Sequence, residues 1–272
     1  MTKNPLVSII TPSFNSSLFI RNTIESILDQ NYNNIQHIVV DGKSTDNTLE
    51  IIKEYPQIEW ISEKDNGMYD AINKGLKLAK GDIIAYLNSD DLYFPYTISN
   101  VVDSYLKTNN DVFIAYCEYI GSKNEKLYVY RYPFLEKDIC LKLGRMPFCQ
   151  QASFWTRKRM EKIGGFNSEY KYTGDLDFFI RLLNTSKITC IRRPLAKFRI
   201  HPKQLSTDVK GMRREGFKVF RSYNAKHYTE ITNFQQTLFR LGYEIAFKLL
   251  NIKAISKRYA FRLFRSNISN CF

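Results

Sequence analysis

The chain has 272 residues, 44% of them hydrophobic and 25% charged, with a formal net charge of +13. That length and balance suit one large domain, or a domain with an extension, around a full core, and they exclude a disordered or disulfide-stapled protein. Between His201 and Phe272 fourteen basic residues face four acids, so ten of the thirteen net positive charges sit in this tail.

Cys117, Cys140, Cys149, Cys190 and Cys271 show neither paired spacing nor a His-Cys metal pattern and read as reduced thiols. No signal-peptide core and no membrane-spanning run is present in the sequence, so the chain is expected in the cytoplasm.

Residues 6–11 predict a first strand, stopped by Pro12 and a polar loop to Ser17. Ile20, Ile24, Ile27 and Leu28 share one helical face, with Ser16 or Ser17 placed to cap that helix. Residues 35–40 form a second strand ending at Asp41-Gly42. A helix then begins near Asn47, residues 58–61 form a third strand, and residues 68–79 form a helix with Ile72, Leu76 and Ala79 on one face. That helix leads into an apolar strand over 83–87, which is cut off by Asn88-Ser89-Asp90-Asp91. Alternating strands and helices with short connections predict an α/β protein, a Rossmann-like and mostly parallel sheet flanked by helices. Its ligands belong at the carboxyl ends of the strands, where Asp41, Asp90 and Asp91 lie. No glycine-rich dinucleotide loop or phosphate-loop lysine accompanies the first strand, which argues against a dehydrogenase or a P-loop ATPase.

Residues 112–116 and 126–130 predict an antiparallel pair around a turn at Gly121. Gln150, Gln151 and Trp155 follow, then a short basic helix to Ile163 and the turn Gly164-Gly165-Phe166. Residues 175–183 form a helix with Asp175 and Asp177 in its first turn, where the macrodipole favours negative charge. Residues 188–191 form a last strand before a loop carrying His201. After Ser206 the pattern is helical and basic, with aromatics among the cations. It suits either a helix on an anionic membrane or a helical layer packed on the domain.

Five landmarks then occur in order. They are Thr11-Pro12-Ser13-Phe14-Asn15 closing the first strand, Val40-Asp41-Gly42 with Ser44-Thr45-Asp46, and Asp65-Asn66-Gly67 leading to Asp70, Asn73, Lys74 and Gly75. Leu87-Asn88-Ser89-Asp90-Asp91 is the fourth, and Gly164-Gly165-Phe166 followed by Gly174-Asp175-Leu176-Asp177 the fifth. Together, over about residues 5–206, they resemble the inverting glycosyltransferases of family 2, which have the GT-A fold.

The resemblance implies transfer of a sugar from a nucleotide-sugar donor, a UDP-sugar, to a hydroxyl of a glycan or polyprenyl-linked acceptor of the bacterial surface, capsule or lipopolysaccharide type. In that reading Asp41 pairs with the uracil ring, and the Thr11-Pro12 backbone lies along the nucleotide. Asp65, Asp70, Asn73 and Lys74 line the nucleotide and donor sugar, Asp90 holds ribose, and Asp91 holds Mn²⁺ or Mg²⁺ with His201 brought beside it. Asp175 is the base, because the attacking hydroxyl must lose a proton. Gln150 and Gln151 suit acceptor hydroxyls, and Trp155 suits either sugar stacking or the core. The sequence has Asn88 and Gly174 where many relatives carry acids. The expected organisation is a catalytic domain over 1–205, split into a nucleotide-binding half (1–118) and an acceptor-side half (119–205), and a basic helical extension over 206–272. That extension is expected to hold the protein peripherally on the inner face of the cell membrane. The competing readings are an inactive GT-A binding module and a nucleic-acid-binding protein. No helix-turn-helix or RNA-binding aromatic motif supports the latter.

Overall fold

The computed structural model describes residues 4–227 and 233–252. The expected aromatic and basic helix through Phe261, Leu263 and Phe264, and the thiol of Cys271, lie outside the described residues. In chain order the elements are β1 (Val7–Ser13), α1 (Ile20–Leu28), β2 (Ile35–Asp41), α2 (Thr48–Lys53), β3 (Glu59–Ser62), α3 (Met68–Leu78), β4 (Ile83–Tyr86), β5 (Leu92–Tyr93) and α4 (Thr97–Lys107). Then come β6 (Val112–Ile120), β7 (Lys126–Tyr130), α5 (Ile139–Leu143), β8 (Ser153–Thr156), α6 (Arg157–Ile163), α7 (Gly174–Asn184), β9 (Ile188–Arg199), α8 (Val209–His227) and α9 (Asn233–Leu250).

The strands make one sheet in the order β3-β2-β1-β4-β8-β6-β9-β5, with β7 added alongside β6. β1, β2, β3 and β4 are mutually parallel, as the alternating pattern predicts. They read as near-continuous apolar runs because helices cover both of their faces. The period of two sorts them: Ile10, Ile84 and Tyr86 face α3 and α7, whereas Val7, Ile9, Ile83 and Ala85 face the other way, towards Ile98, Val101 and Val102 of α4. β8 runs antiparallel to both β4 and β6, and this is where the parallel half of the sheet ends.

β9 differs most from expectation. It pairs with β6 in parallel from Ile188 to Arg199, well past residue 191, with register shifts beside Tyr116, which faces Pro194. Arg192, Arg193 and Pro194 hide this strand in the sequence, and the irregular register accommodates the proline. Its extra length carries Arg199 and His201 to the Asp90-Asp91 turn. A second difference lies at α1, whose cap position is Phe19 with no side-chain cap. Neither expected serine caps it. The Ser16 carbonyl accepts the Ile20 N–H at 2.9 Å, and the Ser16 hydroxyl meets that of Ser89 at 2.7 Å.

The described part of the basic tail is a helical layer on the domain. Val219 and Tyr243 are buried in the same core cluster as Ile10 and Phe178. Glu215 accepts the backbone N–H groups of Lys171, Tyr172 and Thr173 at 2.7–2.8 Å, which fixes the chain entering α7. The Tyr223 hydroxyl donates to Asp177 at 2.8 Å.

α3 lies so close to β1 that a Cβ at Gly75 would stand 2.5 Å from the Ile10 methyl. Helix propensity alone would make Gly75→Ala stabilising by up to about 1 kcal/mol. The contact reverses that sign, and thermal or denaturant unfolding is expected to show a loss of about 1–3 kcal/mol.

Candidate active site

A cleft of about 1410 Å³ opens at the carboxyl ends of β1 and β4, between the loop from Pro12 to Phe19, the segments around Asp65 and Asp90, and the second half of the chain at Tyr128, Tyr172 and His201. The turn after β4 sends its two acids in opposite directions. Asp91 is fully buried, where its Oδ1 accepts the Arg199 N–H at 2.9 Å and its carboxylate also accepts from Gln151. Burial, with the charge of Asp90 beside it, pushes the Asp91 carboxyl well above the usual range. Asp90 faces the cleft, and its Oδ2 lies 2.8 Å from His201 Nε2. The His201 ring rests on Phe19 at 4.9 Å between centroids.

Asp91, expected at the metal, thus lies off the cleft wall in this structure. Asp91 is engaged by the backbone behind the turn, and Asp90 with His201 forms the pair that faces the cleft. A divalent cation fits that corner, because a carboxylate and an imidazole converge there and the buried Asn88 Oδ1 has no hydrogen-bond donor. Among the described residues no group of three or more His, Cys, Asp or Glu could hold a metal. The corner offers a cation one carboxylate and one imidazole, the kind of partial site that phosphates and water complete elsewhere.

Arg199, which the sequence did not single out, secures this corner. Its buried guanidinium donates from Nε to the Asp90 carbonyl at 2.7 Å and from Nη1 to Asn124 Oδ1 at 2.6 Å, and it lies 4.6 Å from the Phe19 ring centroid.

Asp175 lies at the cleft floor in the first turn of α7. Its Oδ1 accepts the Leu176 N–H at 2.8 Å and the Tyr69 hydroxyl at 3.2 Å. Burial raises its carboxyl to about 6, against the pull of those donors. Tyr69 also explains Gly174, since a Cβ there would stand 2.8 Å from the tyrosine ring. The space of an acidic neighbour is filled by a phenol whose hydroxyl reaches the Asp175 carboxylate. Asp177 is tied elsewhere, to Arg181 at 2.9 Å and to Tyr223.

Of the other expected residues, Pro12 and Asp65 line the cleft, and Gln150 and Gln151 reach it from largely buried positions. Gln150 donates to the Tyr86 carbonyl at 2.7 Å. Thr11, Asp41, Asp70, Asn73, Lys74, Asp91 and Trp155 are not on the cleft wall. Thr11 is buried against His37 Nε2 at 3.0 Å. Asp41 is buried and accepts the Ser44 N–H at 3.0 Å, the Ser44 hydroxyl, and the Ser62 hydroxyl at 2.7 Å. Asp70 accepts the Asn66 N–H at 3.0 Å, and Lys74 is held by the Lys64 carbonyl at 2.8 Å and Glu63 at 2.9 Å. Asn73 clamps the Phe166 backbone with two 2.8 Å hydrogen bonds, and Trp155 packs in the core against Phe178.

The family model for glycosyl transferase family 2 matches residues 8–164. The chain belongs to glycosyl transferase family 2. An uncharacterised glycosyltransferase of Rickettsia typhi is 34% identical over 211 residues, which cover 75% of this chain and 66% of that one. Chondroitin synthase of Escherichia coli is 28% identical over 226 residues, 79% of this chain and 32% of that one. The chain thus spans under two thirds of the length of both relatives. S. aureus TarS in complex with UDP-GlcNAc superposes with a TM-score of 0.68 at 16% identity, covering 89% of this chain and 72% of that one. The mannosyltransferase PcManGT of Pyrobaculum calidifontis, in complex with GDP-Man and Mn²⁺, gives 0.62 at 18% identity, covering 95% and 74%. The fold of this chain is GT-A, a mixed α/β structure with a curled sheet flanked by helices, as its sequence led us to expect.

Because the Tyr69 hydroxyl stabilises the ionised Asp175, Tyr69→Phe should raise the Asp175 carboxyl above its value of about 6, by roughly one pH unit. Carboxyl-carbon NMR titration of the two proteins reads this directly.

Proposed function

We propose that this glycosyltransferase moves a sugar from a UDP-linked donor to a hydroxyl of a glycan or polyprenyl-linked acceptor, in a single inverting displacement at the anomeric carbon. The observation that carries the reading is that one cleft holds two separate acidic stations, Asp90 with His201 at one end and Asp175 in the floor. The donors named for the structural neighbours, UDP-GlcNAc and GDP-Man, support a nucleotide-sugar.

In the reaction the acceptor oxygen attacks the anomeric carbon, its proton passes to Asp175, and the bond to the nucleoside diphosphate breaks with its electron pair leaving on phosphate. Asp175 suits the base role because burial keeps it a better proton acceptor than an exposed carboxylate, while the Tyr69 hydroxyl orients it and keeps it ionised near neutrality. Asp90 and His201 would hold Mn²⁺ or Mg²⁺, which when bound neutralises charge gathering on the leaving diphosphate. Pro12 and Asp65 border the nucleotide, and Gln150 and Gln151 border the acceptor. Residues 1–205 act as the catalytic domain, and the basic extension over 206–272 keeps the protein at the inner membrane face, where a polyprenyl-linked acceptor resides.

Asp175→Asn should retain donor binding and lose transfer by roughly a hundredfold or more, as single-turnover kinetics would show; normal transfer by the Asn variant would remove Asp175 as the base. Wild-type turnover should fall as the pH drops through about 6, where Asp175 takes up its proton. A carboxyl whose folded pKa is raised costs stability as pH climbs from its ordinary 3.8 through about 6. The Asn variant should therefore melt no lower than wild type at neutral pH.

A further inference from the structure

Helix α9 is apolar on two opposite faces. Towards the domain, Phe239 and Tyr243 pack edge-on against Phe134, Phe247 packs on Tyr130, and Asn251 exchanges two hydrogen bonds with the Arg131 backbone at 2.7 and 2.9 Å. On the far side Leu238, Leu241, Ile245, Leu249 and Ile252 follow one another at steps of three and four residues, each between 52% and 69% exposed. They form an aliphatic stripe about 21 Å long, taken from the rise of an α-helix. A helix with one face in the core normally turns polar residues outward, so a second apolar stripe of this length calls for a partner.

The charge that follows the stripe in the sequence selects that partner. Lys248 lies in the last turn of α9, and residues 253–272 bring Lys253, Lys257, Arg258, Arg262 and Arg265 with no acid among them. A second copy of the chain, or residues 253–272 folded back, would set like charge against like. An anionic lipid surface receives the aliphatic side chains at the acyl boundary and the cations among its headgroups. No helix among the described residues is long and apolar enough to cross a membrane, so α9 would lie along the surface.

We propose that the outer face of α9, from Leu238 to Ile252, is a docking surface for an anionic lipid bilayer. The inference rests on the membrane-proximal placement proposed above and deepens it by naming the residues that make contact. The test is flotation of the full chain with vesicles of phosphatidylethanolamine and phosphatidylglycerol, and with phosphatidylcholine alone, for wild type and for the triple variant Leu241→Gln, Ile245→Gln, Leu249→Gln. Wild type should bind the phosphatidylglycerol vesicles selectively. The variant, altered only at exposed positions, should keep its melting temperature and bind roughly a hundredfold more weakly. Equal binding by both proteins would overturn the α9 surface and leave membrane association to the basic charge alone. Absence of wild-type binding to any vesicle would overturn the surface and the membrane placement together. A lipid-free dimer that the variant turns into a monomer would show instead that the stripe joins two copies of the chain.

Discussion

Arg199 enters the protein with its charge and is compensated by carbonyls, by Asn124, by Phe19 and by the neighbouring acids, and the geometry of the cleft depends on that placement. Burial makes its charged form costly and holds it below the ordinary arginine range. Burial disfavours the charged form of Asp91 as well, which raises its carboxyl, and its Oδ1 accepts the Arg199 backbone N–H. The Arg199 side chain holds the Asp90 carbonyl through Nε at 2.7 Å, while its backbone N–H holds the Asp91 carboxylate at 2.9 Å. These two hydrogen bonds lock the turn after β4 to the end of β9 and leave Asp90 hydrogen-bonded to His201 at one end of the cleft.

The floor of the site is held by a different device. α7 presents Asp175 through its first turn, and the chain leading into that turn is gathered by Glu215 of α8. Tyr69 of α3 reaches across from the first half of the chain, so the carboxylate is shared between two parts of the sequence more than a hundred residues apart. The described part of the basic tail thus has two faces with different tasks: one braces α7 and fills the core, and the other presents aliphatic side chains outward. Composition alone could not separate these, because both faces draw on the same residue types.

The first four strands and the helices between them were legible because buried parallel strands appear as unbroken apolar runs. The GT-A fold was legible because its landmarks recur in order. What the letters could not tell was direction. Asp90 and Asp91 are equivalent in a sequence, and only Arg199, 108 residues from Asp91, decides which one turns inward. Asp41, Asn73 and Lys74 have the residue types of ligand contacts, and what the sequence does not show is that they hydrogen-bond to Ser44, Phe166 and Lys64 off the cleft wall. β9 extends past residue 191 without an apolar signal because it carries Arg192, Arg193 and Pro194, and the helical face of α4 gave no clear one either.

Asp90 and His201, held in place by Arg199, form the corner on which the proposed donor binding depends. Calorimetric titration with UDP, in Mn²⁺ and again after chelation, for wild type and Asp90→Asn, tests it most directly. The expected result is UDP binding by wild type that needs the ion and is lost in the variant. UDP binding that is indifferent to both the ion and the Asp90 substitution would contradict it.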